Sequence, residues 1–336
     1  MIEPSIALVG PWPRPWGGIS VHISRLLPRL REKRFAVSVY DDTGTHSGED
    51  IFPLRGRWAN RFVLTAREKI IHYHSHSWGT RMRLSLMTAM GKKVVFTVHS
   101  LRNPPVVFMS KKPEFTHMMA RARFIAVNEE IAQRLSGMGA RSVEIIGPYI
   151  SPPDWGEPYP DVKAFAGLHR PTIAMNALSF KTWGKGDLYG LFSALDALAL
   201  LRKDLPGAGM VIYLSQIGEK SLFGFFVERT RALGLERDIM LRLDAEEPFH
   251  TCLPLAQVFL RPTLSDSFGL SLAEALELGV PVVASDAVPR PGKVFLFKTG
   301  DPADMVRAIK EALSSKPEKI NLDEFPALAD FYARLF

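Results

Sequence analysis

Two acidic residues, Asp266 and Glu274, lie eight positions apart where a predicted strand leads into a predicted helix. The chain turns at Pro262, and the helix runs as far as Gly279. In a parallel α/β sheet, ligands bind at the carboxyl ends of strands, and the unpaired N–H groups of a helix's first turn favour a phosphate. Gly269 allows close backbone approach, and the acids can contact opposite parts of one elongated ligand. Taken alone, such a pair would by default be interpreted as a helix N-cap and a surface residue.

A lysine flanked by glycines, Lys185, follows the first predicted strand of the second half of the chain and precedes its first predicted helix. At a helix start, such a lysine can reach a diphosphate with little steric obstruction. Its charge then offsets the negative charge that develops on a departing nucleotide. Considered by itself, Lys185 would be a solvated loop lysine.

Adjacent glycines, Gly17 and Gly18, lie between the first predicted strand and its helix, and His99 ends a buried-looking strand. The glycines permit close approach of a ligand or of the opposite domain, but turns also use glycine for purely conformational reasons. Without further information, His99 would be a strand-end histidine whose hydrogen bonds are satisfied.

Three further histidines, His72, His74 and His76, alternate at the end of a predicted strand. Alternation places side chains on one face of a strand, as a metal site would require. The stretch lacks the carboxylate or cysteine ligands that usually complete such a site. We therefore predict no metal site and assign these residues to the core or to a cleft edge.

Short β-rich runs alternate with amphipathic helical patterns along the chain, which is typical of βα units on a parallel sheet. Strands are predicted over 6–10, 36–40, 70–74, 94–98, 124–127 and 143–146, and again over 172–175, 210–214, 239–243, 258–260 and 280–284. Helices are predicted over 188–201, 223–233, 268–278 and 303–313, after a first helix with apolar residues at 19, 23, 26, 27 and 30.

A proline-rich segment over 147–160 divides the two series and predicts an interdomain linker. We predict an α/β fold of two Rossmann-like domains facing a cleft. The first domain covers 1–150, and the second covers 151–321. The apolar segment 322–336 is expected to form a C-terminal helix that packs back on the first domain.

Composition excludes several classes of protein. The chain of 336 residues is 46% hydrophobic and 23% charged, which is ordinary for a globular protein. Its lone cysteine, Cys252, excludes an internal disulfide and a thiolate-clustered metal site. No run of about 18 apolar residues occurs, and the chain begins without a signal-peptide pattern. We therefore expect a cytoplasmic protein that is either free or peripheral on the inner face of the membrane.

Positive charge is concentrated in the first half. Residues 1–150 carry 22 Lys and Arg against 11 Asp and Glu, whereas residues 151–336 carry 20 against 24. This balance favours an anionic membrane surface or a phosphorylated lipid carrier as partner, with the basic segment 55–69 as a docking element. A solvated basic face is equally compatible with it, and nucleic acid is disfavoured because no recognition motif is present.

Several of these motifs together resemble the family 4 retaining glycosyltransferases. The run from Asp266 to Glu274, continued by Ala-Leu-Glu-Leu-Gly-Val-Pro-Val-Val-Ala-Ser-Asp, is similar to the family's acid-x7-acid signature, with Asp where Glu is usual. The Lys185-Gly186 pair, the Gly-Gly pair at 17–18 and Thr97-x-His99 resemble further family motifs. The sequence departs from the family at residues 176–177, where Asn-Ala replaces Gly-Arg.

The resemblance implies the GT-B fold, in which the domain 1–150 binds the acceptor and the domain 151–321 binds the nucleotide-sugar donor, and it implies a role for each matching residue. Asp266 and His99 would hold the donor sugar, Glu274 the ribose and Lys185 the leaving diphosphate, with Lys181 in place of the absent arginine. No metal or other cofactor is implied. The full set of implied catalytic and donor-binding residues is Gly17, Gly18, His99, Lys181, Lys185, Gly186, Asp266, Ser267, Phe268, Gly269, Leu270 and Glu274.

The implied activity is a retaining hexosyl transfer from a nucleotide-diphosphate sugar to a glycan or lipid-linked acceptor in bacterial-type polysaccharide or glycoconjugate synthesis. Two alternatives remain open. A catalytically weak nucleotide-sugar-binding subunit of a polysaccharide assembly complex is favoured by Asp266 and by the missing arginine, and a nucleotide-sugar epimerase would use the same pair of domains. A nicotinamide oxidoreductase is disfavoured because no Gly-x-Gly-x-x-Gly follows the first strand.

Overall fold

A computed structural model describes residues 5–55, 64, 66–101, 111–184, 186–244, 246–266 and 268–336. The chain divides into two compact units. The first unit is Met1–Pro153 together with Asp323–Phe336, and the second is Asp154–Leu322. Residues 146–159 form neither helix nor strand.

The first unit contains a parallel sheet of seven strands. They are β1 (Ser5–Gly10), β2 (Ala36–Asp41), β3 (Ile51–Pro53), β4 (Ile70–Tyr73), β5 (Lys93–Val98), β6 (Arg123–Ala126) and β7 (Val143–Ile145), in the order β3-β2-β1-β4-β5-β6-β7. Its helices are α1 (Gly18–Glu32), α2 (Trp78–Ser85), α3 (Pro113–Arg121) and α4 (Glu129–Gly137), with a 3₁₀ helix over Leu86–Met90.

The central strands of this sheet are buried on both faces, because helices cover each side, whereas the edge strands β3 and β7 are only partly buried. Successive side chains of β1 alternate between two cores: Ala7 and Val9 belong to one, and Ile6 and Leu8 belong to the other. The second core also contains apolar residues of α1 and of a C-terminal helix. A single strand therefore stabilises two apolar layers.

The second unit contains a parallel sheet of six strands and a short antiparallel ribbon. The sheet comprises β8 (Thr172–Ala177), β11 (Gly209–Leu214), β12 (Ile239–Leu243), β13 (Val258–Arg261), β14 (Val282–Ser285) and β15 (Phe295–Phe297), in the order β12-β11-β8-β13-β14-β15. The ribbon pairs β9 (Thr182–Trp183) with β10 (Gly186–Asp187). The helices are α5 (Pro160–Leu168), α6 (Leu191–Leu201), α7 (Lys220–Ala232), α8 (Leu270–Leu278) and α9 (Pro302–Leu313), with a 3₁₀ helix over Phe249–Leu255.

The last helix, α10 (Phe325–Ala333), belongs to the first unit rather than to the second, which precedes it in the chain. Phe331 and Tyr332 are buried in the core that contains Ile23 and Leu26 of α1. Burying two large aromatic side chains of a nine-residue helix stabilises it far more than its local propensity can.

The predicted α/β class with two parallel sheets is confirmed. Several elements differ from the prediction. Helix α5 begins at Pro160, a residue that the prediction placed in the linker, because proline is favoured in the first turn of a helix. Helix α6 begins at Leu191, three residues later than predicted, because the ribbon β9–β10 and a tight turn at Gly190 occupy the preceding residues.

Candidate functional site

The loop from Pro262 to Gly269 joins β13 to α8, and Ser267 within it lies outside the described residues. Gly269 is the N-cap of α8 and has a φ of 83°, in the left-handed region that favours glycine. A Cβ atom here would lie 3.3 Å from Oδ2 of Asp266 and 3.8 Å from Nε of Arg261. The backbone at the start of α8 therefore runs directly beside two charged groups.

Asp266 forms ion pairs with two arginines. Its Oδ2 lies 2.8 Å from Nε of Arg261 and 2.9 Å from Nη1 of Arg290. Burial by itself would raise the pKa of the Asp266 carboxyl, but the charges and hydrogen bonds of the two guanidinium groups outweigh burial and hold its pKa well below the ordinary range. The carboxylate is therefore ionised at neutral pH, and the three side chains together carry a net charge of about +1.

Arg261 also connects this loop to the neighbouring strand. Its Nη1 donates a hydrogen bond of 3.3 Å to Oδ1 of Asn176, near the end of β8, and the same oxygen accepts one of 2.8 Å from Oγ of Ser271 on α8. The side chains of Arg261 and Arg290 are 11% and 2% exposed. The carboxyl ends of β8 and β13 are thus linked to the first turn of α8 by one buried arginine.

Arg290 follows β14 and fixes the other side of the loop. Its Nη2 donates hydrogen bonds to Oγ1 of Thr263 at 3.0 Å and to Oγ of Ser285 at 3.2 Å. Ser285, the last residue of β14, in turn donates to the backbone carbonyl of Thr263 at 2.6 Å. Three adjacent strands therefore end in one hydrogen-bonded network around Asp266. We call Arg261, Asp266 and Arg290 the charged triad.

Glu274 lies on the second turn of α8 and is 4% exposed. Burial and, after it, the charge of Glu274 raise the pKa of the Cys252 thiol. The alternative assignments of the acid pair, as an N-cap and a surface residue, are wrong: Gly269 rather than Asp266 caps α8, and Glu274 is buried. Cys252 is buried too, as expected for a small apolar residue.

The glycine-flanked lysine motif lies in the ribbon β9–β10 rather than at a helix start. Lys185 itself lies outside the described residues. A Cβ at its neighbour Gly186 would lie 3.0 Å from Cδ1 of Leu264, and the Leu264 N–H donates to the carbonyl of Leu188 at 2.9 Å. The motif therefore contacts the loop that contains Asp266. Asp187 caps α6, since its carboxylate accepts hydrogen bonds from two backbone N–H groups of that helix.

In the first unit, the glycine pair lies at the start of α1. Gly17 is the N-cap, and its N–H donates to Oγ of Ser20 at 2.9 Å. A Cβ at Gly18 would meet no atom within 4 Å among the described residues. Glycine at position 18 is therefore not required by packing within the described part of this unit.

His99 directly follows β5, and its imidazole lies among other imidazoles. Nδ1 of His74, the residue after β4, is 3.4 Å from Nε2 of His99. The ring of His22, from the second turn of α1, lies 5.1 Å from the His74 ring and 5.3 Å from the His99 ring between centroids. Burial lowers the pKa of His22 to about 4 and those of His74 and His99 well below the ordinary value, so all three are neutral.

The other two histidines of the alternating run have different surroundings. His72 is fully buried, with Nδ1 against the hydroxyl of Tyr332 and Nε2 2.7 Å from Oγ1 of Thr97. It belongs to the core, as predicted. His76 does not belong to the core: it is exposed, because β4 ends at Tyr73 and the alternation does not continue. His22 was not predicted, because it comes from a helix about 50 positions before His74.

Most of the predicted basic docking segment, residues 56–63 and 65, lies outside the described residues. Among the helices that the structure describes, none is both long and apolar enough to cross a membrane.

Two family models match the chain, one in each unit. Residues 16–152 match the model described as Glycosyltransferase Family 4, and residues 189–315 match the model described as Glycosyl transferases group 1. The chain is a family 4 glycosyltransferase. The resemblance drawn from the sequence motifs is therefore confirmed. No curated protein matches the chain.

Solved structures show that this glycosyltransferase has the GT-B fold. A glycosyltransferase from Rickettsia africae ESF-5 superposes with a TM-score of 0.75 at 14% identity, over 100% of this chain and 99% of that one. Anabaena Alr3699/HepE in complex with UDP-glucose superposes with a TM-score of 0.69 at 15% identity, over 97% of this chain and 94% of that one. WaaG, a glycosyltransferase involved in lipopolysaccharide biosynthesis, superposes with a TM-score of 0.60 at 13% identity, over 98% of this chain and 95% of that one.

A cation from β13 lies beside the position, at the end of β8, where this glycosyltransferase lacks the expected arginine. Ala177 occupies that position, and the guanidinium of Arg261 bonds to its neighbour Asn176. Lys181, which we expected to replace the arginine, is exposed on the loop that follows β8. Arg261 could have been noticed in the sequence as a cation that ends an otherwise apolar strand, Val-Phe-Leu-Arg.

Proposed function

We propose that the protein is a retaining hexosyltransferase that moves a sugar from a nucleoside diphosphate to a glycan or lipid-linked acceptor. The observation that carries this proposal is the charged triad, which lies beside the start of α8. A net positive charge next to the first turn of a helix is an arrangement that favours a diphosphate. That Alr3699/HepE contains UDP-glucose in its crystal structure is consistent with such a ligand.

In this proposal, the donor lies along the loop that joins β13 to α8. The backbone of Phe268, Gly269 and Leu270 contacts the sugar and the phosphates, and Glu274 binds the ribose hydroxyls. Lys185 and Gly186 bind the diphosphate from the ribbon, and Arg261 supplies the positive charge at the end of β8. His99 contacts the transferring sugar, and the first unit binds the acceptor.

The chemistry requires that negative charge be stabilised on the departing diphosphate. Lys185, Arg261 and the first-turn N–H groups provide this stabilisation. The bond from C1 of the sugar to the phosphate oxygen breaks, and a bond from C1 to the acceptor oxygen forms on the same face. The acceptor proton passes to the departing phosphate oxygen.

We assign no protein nucleophile. Asp266 is the acid of the signature, but its charged oxygen already accepts hydrogen bonds from two guanidinium groups, and its pKa is lowered. A carboxylate stabilised in this way is a weak nucleophile and a weak base. We also propose that no metal is required, because fixed cations of the protein neutralise the negative charge of the diphosphate in place of a divalent ion.

Donor binding and turnover test the proposal separately. Nucleotide sugars, beginning with UDP-glucose, are screened for a rise in melting temperature, since a ligand that binds only the folded state must stabilise it. Nucleotide release is then measured with and without candidate acceptors, and proton NMR assigns the anomer of the first product. Retention of the donor's anomeric configuration is expected.

Arg261→Gln is the diagnostic variant for the site, and Arg229→Gln is its control. Arg229 pairs with Asp196 on the surface of the same unit. Loss of a charge-assisted hydrogen bond to phosphate costs about 1.5–3 kcal/mol, so donor affinity should fall at least about 10-fold in Arg261→Gln alone. Equal affinity of the two variants for the donor would refute the assignment of Arg261.

The same measurements separate the other candidate functions. Donor binding without turnover under any acceptor would favour a nucleotide-sugar-binding subunit. Conversion of the donor to its epimer without an acceptor would favour an epimerase. An inverted product would refute the retaining mechanism but not the transferase.

A further inference from the structure

Three buried imidazoles of the first unit form a compact group that the proposed reaction does not fully use. His22, His74 and His99 are 3%, 0% and 8% exposed, and one nitrogen of each lies within 4.8 Å of the others. Within the described part of the chain, this is the one cluster of histidine, cysteine or carboxylate side chains with the spacing of a metal site. We call it the histidine cluster.

The hydrogen bonds leave nitrogen atoms of this cluster without a partner. Nδ1 of His22 lies 2.7 Å from the carbonyl oxygen of Pro148. A carbonyl oxygen can only accept, so Nδ1 carries the proton and Nε2 keeps its lone pair. Nε2 of His22 and Nε2 of His74 are both buried and have no hydrogen-bond partner among the described residues. Buried polar atoms normally have partners, and the lone pair on Nε2 of His22 is the one that a metal ion would take.

The spacing agrees with a tetrahedral ion. Nitrogen ligands at the usual zinc distance of about 2.0–2.1 Å are separated by about 3.3 Å in a tetrahedron. Nδ1 of His74 and Nε2 of His99 are 3.4 Å apart. The remaining separations reach up to 4.8 Å, and rotation of the imidazole rings must shorten them. The carbonyl of Pro148 orients His22 in the way that outer-shell acceptors orient metal-ligating histidines.

The chemistry of the cluster selects the kind of ion. Imidazole nitrogens suit zinc, copper, nickel and cobalt, whereas magnesium, calcium and manganese prefer oxygen ligands, which this cluster lacks. The imidazoles are neutral, so a metal does not have to displace protons from them. The charges of Arg25 and Arg81 are close enough to act on these imidazoles, and they oppose a cation. We therefore expect micromolar rather than tighter affinity.

We propose that His22, His74 and His99 bind one divalent transition-metal ion, with Zn²⁺ as the reference ion, and that the bound ion inhibits glycosyl transfer. Inhibition follows because the ion engages the imidazole of His99, which can then no longer contact the donor sugar. This second part rests on the proposed function, whereas metal binding itself does not.

Binding is tested on the full chain after treatment with a chelator. Co²⁺ is titrated and its visible d–d absorption recorded, and Zn²⁺ affinity is measured by competition with a chromophoric chelator. One ion per chain is expected. His22→Gln and His74→Gln should each weaken Zn²⁺ binding by about 100-fold or more, because each removes one of three ligands. His117→Gln is the control, since His117 lies in the same unit and bonds to Thr88 outside the cluster.

Circular dichroism establishes whether the variants fold. X-ray absorption of the zinc-loaded wild-type chain needs no variant, and a first shell containing three imidazole nitrogens is expected. Absence of stoichiometric Co²⁺ absorption, a first shell without imidazole, or unchanged affinity in a folded His22→Gln protein would each overturn the site.

Inhibition is tested by titrating Zn²⁺ into the transfer assay, where activity should fall with a midpoint equal to the measured Kd. Binding with full activity would overturn the inhibitory role and leave the metal site standing. If no glycosyl transfer is found under any condition, the proposed function and the inhibition fail together, while the spectroscopic measurements still decide whether the cluster binds metal.

Discussion

Replacing Asp266 by Asn should destabilise the second unit strongly. The amide keeps the shape of the side chain and an oxygen acceptor but removes the charge that balances Arg261 and Arg290. Both arginine side chains are buried, at 11% and 2% exposure, so two positive charges would lose the counterion that they share in a medium that solvates them poorly. The charge of Glu274 would still act on Arg261. Breaking a buried ion pair by changing one partner costs about 3–5 kcal/mol, and we expect a loss in this range.

Asp196→Asn is the matched control. Asp196 accepts hydrogen bonds from Nε and Nη2 of Arg229 at 3.0 and 2.8 Å, with side chains 34% and 51% exposed. An exposed pair of this kind contributes at most about 1 kcal/mol. Both carboxylates belong to the second unit, so urea unfolding of that unit measures both variants on one transition. A loss in Asp266→Asn no larger than that in Asp196→Asn would refute the argument from burial.

The pH dependence of the unfolding free energy gives a second test with the Asp266→Asn variant. The pKa of Asp266 is lower in the folded than in the unfolded state, so its contribution is present above the unfolded pKa of about 3.9 and is lost as the pH falls towards the folded value. The difference in unfolding free energy between wild type and Asp266→Asn should be constant from about pH 5 to 8 and shrink below about pH 4. A difference that grows on acidification would contradict the assignment.

Three further outcomes are expected. Lys185→Ala should lower kcat by a factor of about 10²–10³ in nucleotide-release assays, because removing one donor to a developing charge has this effect in other enzymes. Replacing the exposed Lys203 by Ala should leave kcat unchanged. Gly190→Ala should destabilise the second unit by clearly more than Gly234→Ala in urea unfolding. Both glycines have positive φ, but only at Gly190 would a Cβ lie 2.1 Å from the carbonyl oxygen of Pro262, and similar losses would contradict this. Co-sedimentation with anionic vesicles should occur and weaken with salt, because residues 1–150 carry 22 Lys and Arg against 11 Asp and Glu; equal binding to neutral vesicles would refute an electrostatic attachment.

Local patterns in the sequence predicted the sheets because parallel strands are buried on both faces and appear as short apolar runs. They predicted the position of Asp266 because the loop after a strand's carboxyl end is defined by the chain order alone. Helix α5 was missed because prolines are treated as breakers, although one at the first helical position is favourable. Because proline lacks a backbone N–H, it correctly predicted a segment without helix or strand. The same property misplaced the end of that segment, since the first position of a helix does not need the N–H.

The contacts that define the two candidate sites depend on pairings between distant parts of the chain. Arg290 contacts Asp266, which lies 24 residues earlier in the chain. His22, on α1, contacts His99, which follows β5. The periodicity of a single segment does not predict which distant residue a side chain contacts. Each residue could have several neighbours until the order of the strands in the sheet is known. The alternating histidines show the converse error, in which a real local pattern was extended past the end of β4 to His76.

Two departures of this chain from its family are linked in space. The signature has Asp266 where glutamate is usual, and the arginine expected after β8 is missing. Arg261, from β13, pairs with Asp266 and also bonds to Asn176, the residue beside the missing arginine's position. A cation supplied by β13 therefore lies beside the position in β8 that lacks one, and its guanidinium lies close to Gly269. Departures that compensate each other are expected where donor binding is maintained, so the charged triad supports donor binding, and turnover with an acceptor decides between a transferase and a binding subunit.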